Sequence, residues 1–325
     1  MGAARLSSKL RVRELARQTV WGMRSATARE KGHDLGTTRL LSGSGRSGTT
    51  WIQEMATADS NLRPIFEPFD ARRDVRFGVL PFGRYIAPAE EAADVHSAVL
   101  PVLTGLYRSP WSDQLSTPRL GRRYRGRLIK DIRILCSVGW LAKSFPEVPV
   151  AHVVRHPFDV VHSGNALNWS VDRLDFLLEQ ASLEADHLSE QASALRKLRE
   201  PWERAVALWA VENHVVFRTL PQAGARLVIY EEAVRDPSSL APLWDHFRIP
   251  LSQVGDADRP SKMTRPGSHI LSQGARVRPA PIDEEMRRSG SEVLALFGFD
   301  RAFASDGSVD ASLLRALWKD RALSS

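Results

Sequence analysis

The stretch LLSGSGRSGTTWIQEMA, residues 40–56, begins apolar, passes through Gly43, Gly45 and Gly48 among serines, and ends with apolar residues at helical spacing. A strand, a glycine-rich turn and a helix in that order leave several backbone N–H groups unpaired at the positive end of a helix dipole. That makes an anion site before any side chain takes part. The hydroxyls of Ser47, Thr49 and Thr50 add donors, and Arg46 supplies a planar, permanently charged fork suited to an oxyanion. The nucleotide-hydrolysing pattern G-x-x-x-x-G-K-[ST] is met at Gly43 and Gly48, but Thr49 stands where the lysine belongs. No convincing apolar strand ends in a metal-binding aspartate; Asp131, after Lys130, is the nearest candidate. A magnesium-dependent small-molecule kinase therefore becomes the alternative reading, and no metal is expected.

The rest of the chain narrows the class. At 325 residues it is long enough for a substantial core. No run has the length of a transmembrane helix and no secretory signal pattern is present, so a cytoplasmic location is expected. Myristoylation is not expected either, because Leu6 sits where Ser or Thr is wanted. The only cysteine, Cys136, excludes an intramolecular disulfide and reads as a small core residue. The net charge of +7 is unevenly spread: residues 1–31 hold eight Lys/Arg against two Asp/Glu, and the remainder holds 37 against 36. The basic character belongs to an arm, drawn at 1–36, and not to the domain at 37–325, which argues against nucleic-acid binding. On a helical wheel Arg13, Arg17 and Arg24 interrupt the side carrying Leu6, Leu10, Val20 and Trp21. The arm is thus a poor membrane-surface helix and reads first as a packing or partner segment, with peripheral membrane contact left open. A non-catalytic anion-binding protein recruited through this arm is a further alternative.

Strand and helix signals alternate along the domain. Residues 37–43, 127–135, 148–154 and 225–232 read as strands, the last running into a turn, and residues 201–219 as the longest helix. Pro157 and Asp159 open another helix after the third strand. Strand, crossover helix, strand predicts a P-loop-like α/β fold: one parallel sheet flanked by helices, in a single domain. Segments 70–125 and 235–280 read as irregular loops or lids over one end of the sheet.

The segment GRSGTTW, Arg46 to Trp51 in particular, resembles the 5′-phosphosulfate loop of sulfotransferases that use 3′-phosphoadenosine 5′-phosphosulfate (PAPS). A second segment, VVRHPFDVVHSG, resembles the family's 3′-phosphate signature, an arginine at a strand end and a serine eight residues later, here Arg155 and Ser163. The resemblance spans about residues 37–300. It implies the sulfotransferase fold, PAPS as donor, PAP as product, and transfer of a sulfuryl group to an acceptor hydroxyl on a sugar, glycolipid or small molecule. It further implies that Gly45, Arg46, Ser47, Gly48, Thr49 and Thr50 hold the 5′-phosphosulfate. Tyr230, in VIYEEAVRDP, would lie near the adenine, and Trp51 would stack on it or serve as a core aromatic. Arg265 and Ser268, in MTRPGSH, would close over the nucleotide.

The cytosolic branch of the family places a histidine base two residues beyond a lysine. Here Lys130 is followed by Asp131 and Ile132, so that base is missing. The carbohydrate-modifying branch often uses a glutamate shortly after the first helix, and RPIFEPFD offers Glu67, with His269 as the fallback. Apolar neighbours would suit Glu67 to general-base work. Lys130 would bind the transferring group or neutralise the leaving phosphate, alongside Arg46.

Overall fold

Thr38–Gly43 form β1, the central strand of a five-stranded sheet in the computed structural model, which describes residues 8–117, 123–165, 173–258 and 282–323. The other strands are β2 (Leu62–Phe66), β3 (Gly126–Asp131), β4 (Val150–Val154) and β5 (Arg226–Ile229). Their order is β2-β3-β1-β4-β5 and every pairing is parallel. After β1 the chain moves to one side of it for β2 and β3, then to the other side for β4 and β5. That reversal opens a crevice at the carboxyl end of β1, where folds of this kind bind ligands.

Alternation along the strands feeds two cores. Leu41, Leu128 and Val153 face helix α2 (Thr49–Thr57), packing on its Ile52 and Met55. Leu40, Ile129 and Val154 face the opposite way, into the core that includes Val206, Ala210 and Phe217 of the long helix Pro201–Thr219. Each fully buried aliphatic side chain contributes about 1.5–3 kcal/mol. A sheet covered on both faces reads as nearly continuous apolar runs, which is how β4, VAHVV, looks in sequence, whereas β1, TRLLSG, carries only Leu40 and Leu41 as apolar side chains.

Several sequence expectations need correction. The run at 127–135 stops being strand at Asp131, because that carboxylate turns the chain by accepting from the Arg133 N–H at 2.6 Å and the Phe69 N–H at 3.2 Å. The run at 225–232 ends as strand at Ile229, and Tyr230 begins a helix, Tyr230–Arg235, in place of a turn. Within 70–125, Ala93–Leu103 is a helix that buries Val95, Ala98, Val99 and Val102; Pro101 masked it by falling in its last turn. Within 235–258, Ala241–His246 is also helical. Strand β2 carries Pro64, which weakens its strand signal in the sequence and which this strand tolerates because it lies at the sheet's edge.

The basic arm carries helix α1, Ser8–Thr27. Trp21 meets Trp111 edge-on at 6.0 Å, and Glu30, inside the span drawn as arm, reaches the core. Its carboxylate bridges Arg63 at 3.0 Å and Arg127 at 2.6 Å, while Arg63 also pairs with Asp113 at 2.7 Å, all with fully buried side chains. A boundary at residue 36 cuts across these bonds. Among the described residues no helix is long and apolar enough to cross a membrane.

Candidate active site

Beyond β1 the backbone makes the tight turn into a helix that the glycine pattern calls for. A Cβ on Gly43 would lie 2.7 Å from Ser47 Oγ and 2.8 Å from the Val153 carbonyl, so only glycine lets the chain turn this tightly against β4. Gly48 caps α2 with φ 90°, and a Cβ there would meet the Tyr230 ring at 2.4 Å. Arg46 takes φ 71°, a left-handed conformation that costs a non-glycine residue about 1–2 kcal/mol. Ser47 is fully buried, and among the described residues its hydroxyl has no hydrogen-bond partner. An orphaned hydroxyl beside a helix N-terminus is ready for an oxyanion.

Beneath the loop runs a buried polar chain that sequence reasoning missed. Asn213, on the long helix, donates from Nδ2 to Ser44 Oγ at 3.0 Å and to the Trp209 carbonyl at 2.8 Å. Its Oδ1 lies 3.0 Å from His152 Nε2, and His152 Nδ1 lies 3.0 Å from Ser42 Oγ. Burial pushes the His152 imidazole down to about 4, which fixes the neutral ring: Nε2 donates and Nδ1 accepts. No local motif announces these partners, which lie far apart in sequence.

Arg155 follows β4, and Pro157 opens α5 (Pro157–Asn165). The structure joins this segment to the loop. Arg155 Nη1 donates to the Arg46 carbonyl at 2.9 Å, and Arg46 Nε donates to Ser163 Oγ at 2.8 Å. The Arg155 guanidinium also lies 4.7 Å from the Tyr230 ring centre and 3.4 Å from Asp159 Oδ2. Tyr230 in turn meets Trp51 edge-to-face at 6.2 Å. Trp51 is buried and donates from Nε1 to the Ala257 carbonyl at 3.1 Å. Arg46, Gly48, Trp51, Arg155, Ser163 and Tyr230 therefore form one cluster, with Thr49 buried and Gly45 and Thr50 half-buried beside it. Arg265, Ser268 and His269 lie outside the described residues.

His156 is buried beneath this cluster and held neutral by that burial, its Nε2 donating to the Ala304 carbonyl at 3.0 Å. Its backbone N–H donates to Glu231 Oε1 at 2.8 Å. Burial pushes the Glu231 carboxyl up to about 7.

On the other flank of β1, Lys130 pairs in register with Leu41, two residues before Gly43. Its ammonium lies 2.5 Å from Glu67 Oε1, while Arg133 Nη2 lies 3.2 Å from Glu67 Oε2 and 3.0 Å from Asp70 Oδ2. Glu67 has φ 39°, and its backbone is pinned: its N–H donates to the Lys130 carbonyl at 2.7 Å, and its carbonyl accepts from Trp111 Nε1 at 3.2 Å. The apolar setting expected for Glu67 is therefore corrected. The residue is buried, but a cation sits at each of its oxygens. Arg133 and Asp70 complete that cluster and carried no signal in the sequence.

A model of the sulfotransferase family matches residues 40–253, a span that begins in β1 and takes in the loop, both flanking clusters and β5. The chain belongs to the sulfotransferase family. Sulfuryl transfer is accordingly the reaction class of this sulfotransferase. Three solved structures resemble it loosely. The sulfotransferase domain of the curacin biosynthetic pathway is 17% identical over 79% of this chain and 97% of that one, with a TM-score of 0.43. A sulfotransferase from Alicyclobacillus acidocaldarius is 14% identical over 86% and 98%, with a TM-score of 0.44. The sulfotransferase domain of the Synechococcus PCC 7002 olefin synthase is 19% identical over 84% and 96%, with a TM-score of 0.39. A comparison with curated proteins found no match.

Proposed function

We propose that this sulfotransferase takes its sulfuryl group from PAPS and delivers it to an acceptor hydroxyl on a sugar, glycolipid or small molecule, with Glu67 as general base. The observation that carries the reading is the junction of Arg46, Arg155 and Ser163 on a glycine loop whose buried Ser47 hydroxyl has no partner among the described residues. The residues fit such a donor. Arg46, Ser47, Thr49, Thr50 and the loop N–H groups, from Gly45 to Gly48, would hold its 5′ end; Arg155 and Ser163 would hold the 3′-phosphate, with Trp51 and Tyr230 against the adenine. Arg265 and Ser268 remain part of the proposal as residues closing over the nucleotide.

When bound, PAPS supplies the sulfuryl group and is left as PAP. The chain's own groups do the rest. Lys130 and Arg46 hold negative charge as the bond to the leaving phosphate breaks, Arg46 from a loop already shaped and so needing little reorganisation. Glu67 takes the proton of the acceptor hydroxyl. With Lys130 turned to the transferring group, Glu67 Oε1 is released to accept that proton.

The ion pairs at both Glu67 oxygens favour a second reading, in which Glu67 is the clamp that positions Lys130 and Arg133. His269 is then the candidate base. The donor assignment is tested by thermal stabilisation. At a hundredfold excess over its Kd, PAP adds about 2.7 kcal/mol of stability, and AMP and ATP add much less. Equal stabilisation by AMP, or magnesium-dependent transfer of the ATP γ-phosphate, defeats the proposal and revives the kinase reading.

A further inference from the structure

At the amino ends of β1, β2 and β3, about 20 Å from the loop by strand length, lies a cavity of about 190 Å³ with no assigned role. Its wall includes Arg39, Arg125 and Arg248, with Thr37, Ser60 and Gln253 as neutral donors; no carboxylate lines it. Among the described residues, none of the three arginines has an ion-pair partner. Segments 118–122 and 259–281, next to it in sequence, contain no Asp or Glu either.

Like charges held together without a counter-charge need a structural cause, and here it is visible. Arg39 is anchored by two carbonyls, donating from Nε to Phe247 at 2.7 Å and from Nη1 to Thr37 at 2.7 Å. Burial, then the charges of Arg248 and Arg127, hold its pKa below the usual arginine value. Arg248 follows the helix Ala241–His246 at φ 53°, a left-handed position where glycine is the ordinary choice. Arg125 and Arg248 are exposed and aim their charge at a solvent-accessible cavity. The volume is about six times that of a water in the liquid, room for one or two tetrahedral oxyanion groups.

We infer that this cavity is a second anion site, separate from the catalytic crevice, that takes a small free polyanion of the diphosphate kind. Three guanidinium groups offer paired donors, and Thr37, Ser60 and Gln253 complete a shell for phosphate oxygens.

The test is calorimetric titration of inorganic pyrophosphate into the full chain carrying Arg46→Ala, so that the catalytic loop is weakened as a competing site. Saturable binding is expected, and an added Arg125→Ser/Arg248→Ser pair should weaken it at least tenfold, since each lost charged hydrogen bond is worth about a factor of ten or more. Both side chains are exposed, so an unchanged melting temperature should accompany the loss; should the pair unfold, Arg125→Glu alone gives the same reading. No saturable binding, or a loss below tenfold, overturns the inference.

Discussion

Replacing Arg46 by glycine and by alanine separates two properties of one residue. Its backbone sits at φ 71°, and its guanidinium donates to Ser163 Oγ at 2.8 Å. Glycine relieves a left-handed strain of about 1–2 kcal/mol, loses a charged hydrogen bond worth about 1.5 kcal/mol, and loosens the unfolded chain by about 0.5–1 kcal/mol. The net change is a loss of between about 0 and 1.5 kcal/mol. Alanine loses the same hydrogen bond and keeps the strain, so it should be the less stable variant by roughly 1 kcal/mol. The Arg46 carbonyl, which accepts from Arg155, survives in both. Turnover should therefore fall by about 10²–10³-fold in each, the scale of one lost oxyanion donor. Denaturant unfolding and initial rates of sulfuryl transfer from PAPS give the two readouts. An alanine variant at least as stable as the glycine one refutes the strain; near-wild-type turnover in both refutes the role at the leaving oxygen.

The remaining expectations use other parts of the site. Glu67→Gln should cut kcat by about 10²–10⁴-fold with PAP affinity unchanged by calorimetry, and loss of both together points to the clamp reading. Asn213→Leu leaves Ser44 Oγ and His152 Nε2 without their partner, at about 1–3 kcal/mol each, so roughly 2 kcal/mol or more of unfolding free energy should disappear. For Glu231, whose carboxyl rises from the ordinary 4.5 to about 7, the stabilising contribution is full below pH 4.5 and lost as pH rises through 7, about 3 kcal/mol in all. Glu231→Gln should flatten that decline, and an unaltered pH profile of stability counts against the buried carboxyl.

Some of this was legible because its chemistry is local in sequence. A glycine cradle needs three small residues and a helix start within a few positions, and residues 43–51 spell that out. The arginine–serine pair at 155 and 163 is legible for the same reason, both falling within one strand end and the helix that follows it. The long helix matched its expected span, Pro201–Thr219, with proline at its first position. What stayed hidden depends on partners brought together only by folding. Nothing near Glu67 in sequence says that Lys130 and Arg133, more than sixty residues on, will hold its two oxygens. Nor does the basic arm announce that Glu30 will bridge two buried arginines of strands β2 and β3. The edge strand β2, only five residues long and carrying proline, lacked the alternation that identifies strands by pattern.

A loop that stabilises developing charge works only if its dipoles are fixed before the reaction, since turning them during it would cost what they contribute. The chain from Ser42 through His152 and Asn213 to Ser44 ties both ends of the β1–loop junction to the adjacent strand and to the long helix behind the sheet. Its neutral imidazole matters here. A protonated His152 could not accept from Ser42, and a second donor would face that hydroxyl. Folding keeps the ring neutral from the ordinary 6.5 down to about 4, so this contribution is present above pH 6.5 and lost as pH falls through 4, about 3 kcal/mol in all. Acid should therefore slacken the loop from beneath. The cradle is thus built in two layers: the guanidinium groups of Arg46 and Arg155 at the loop, and a neutral hydrogen-bonded support behind them.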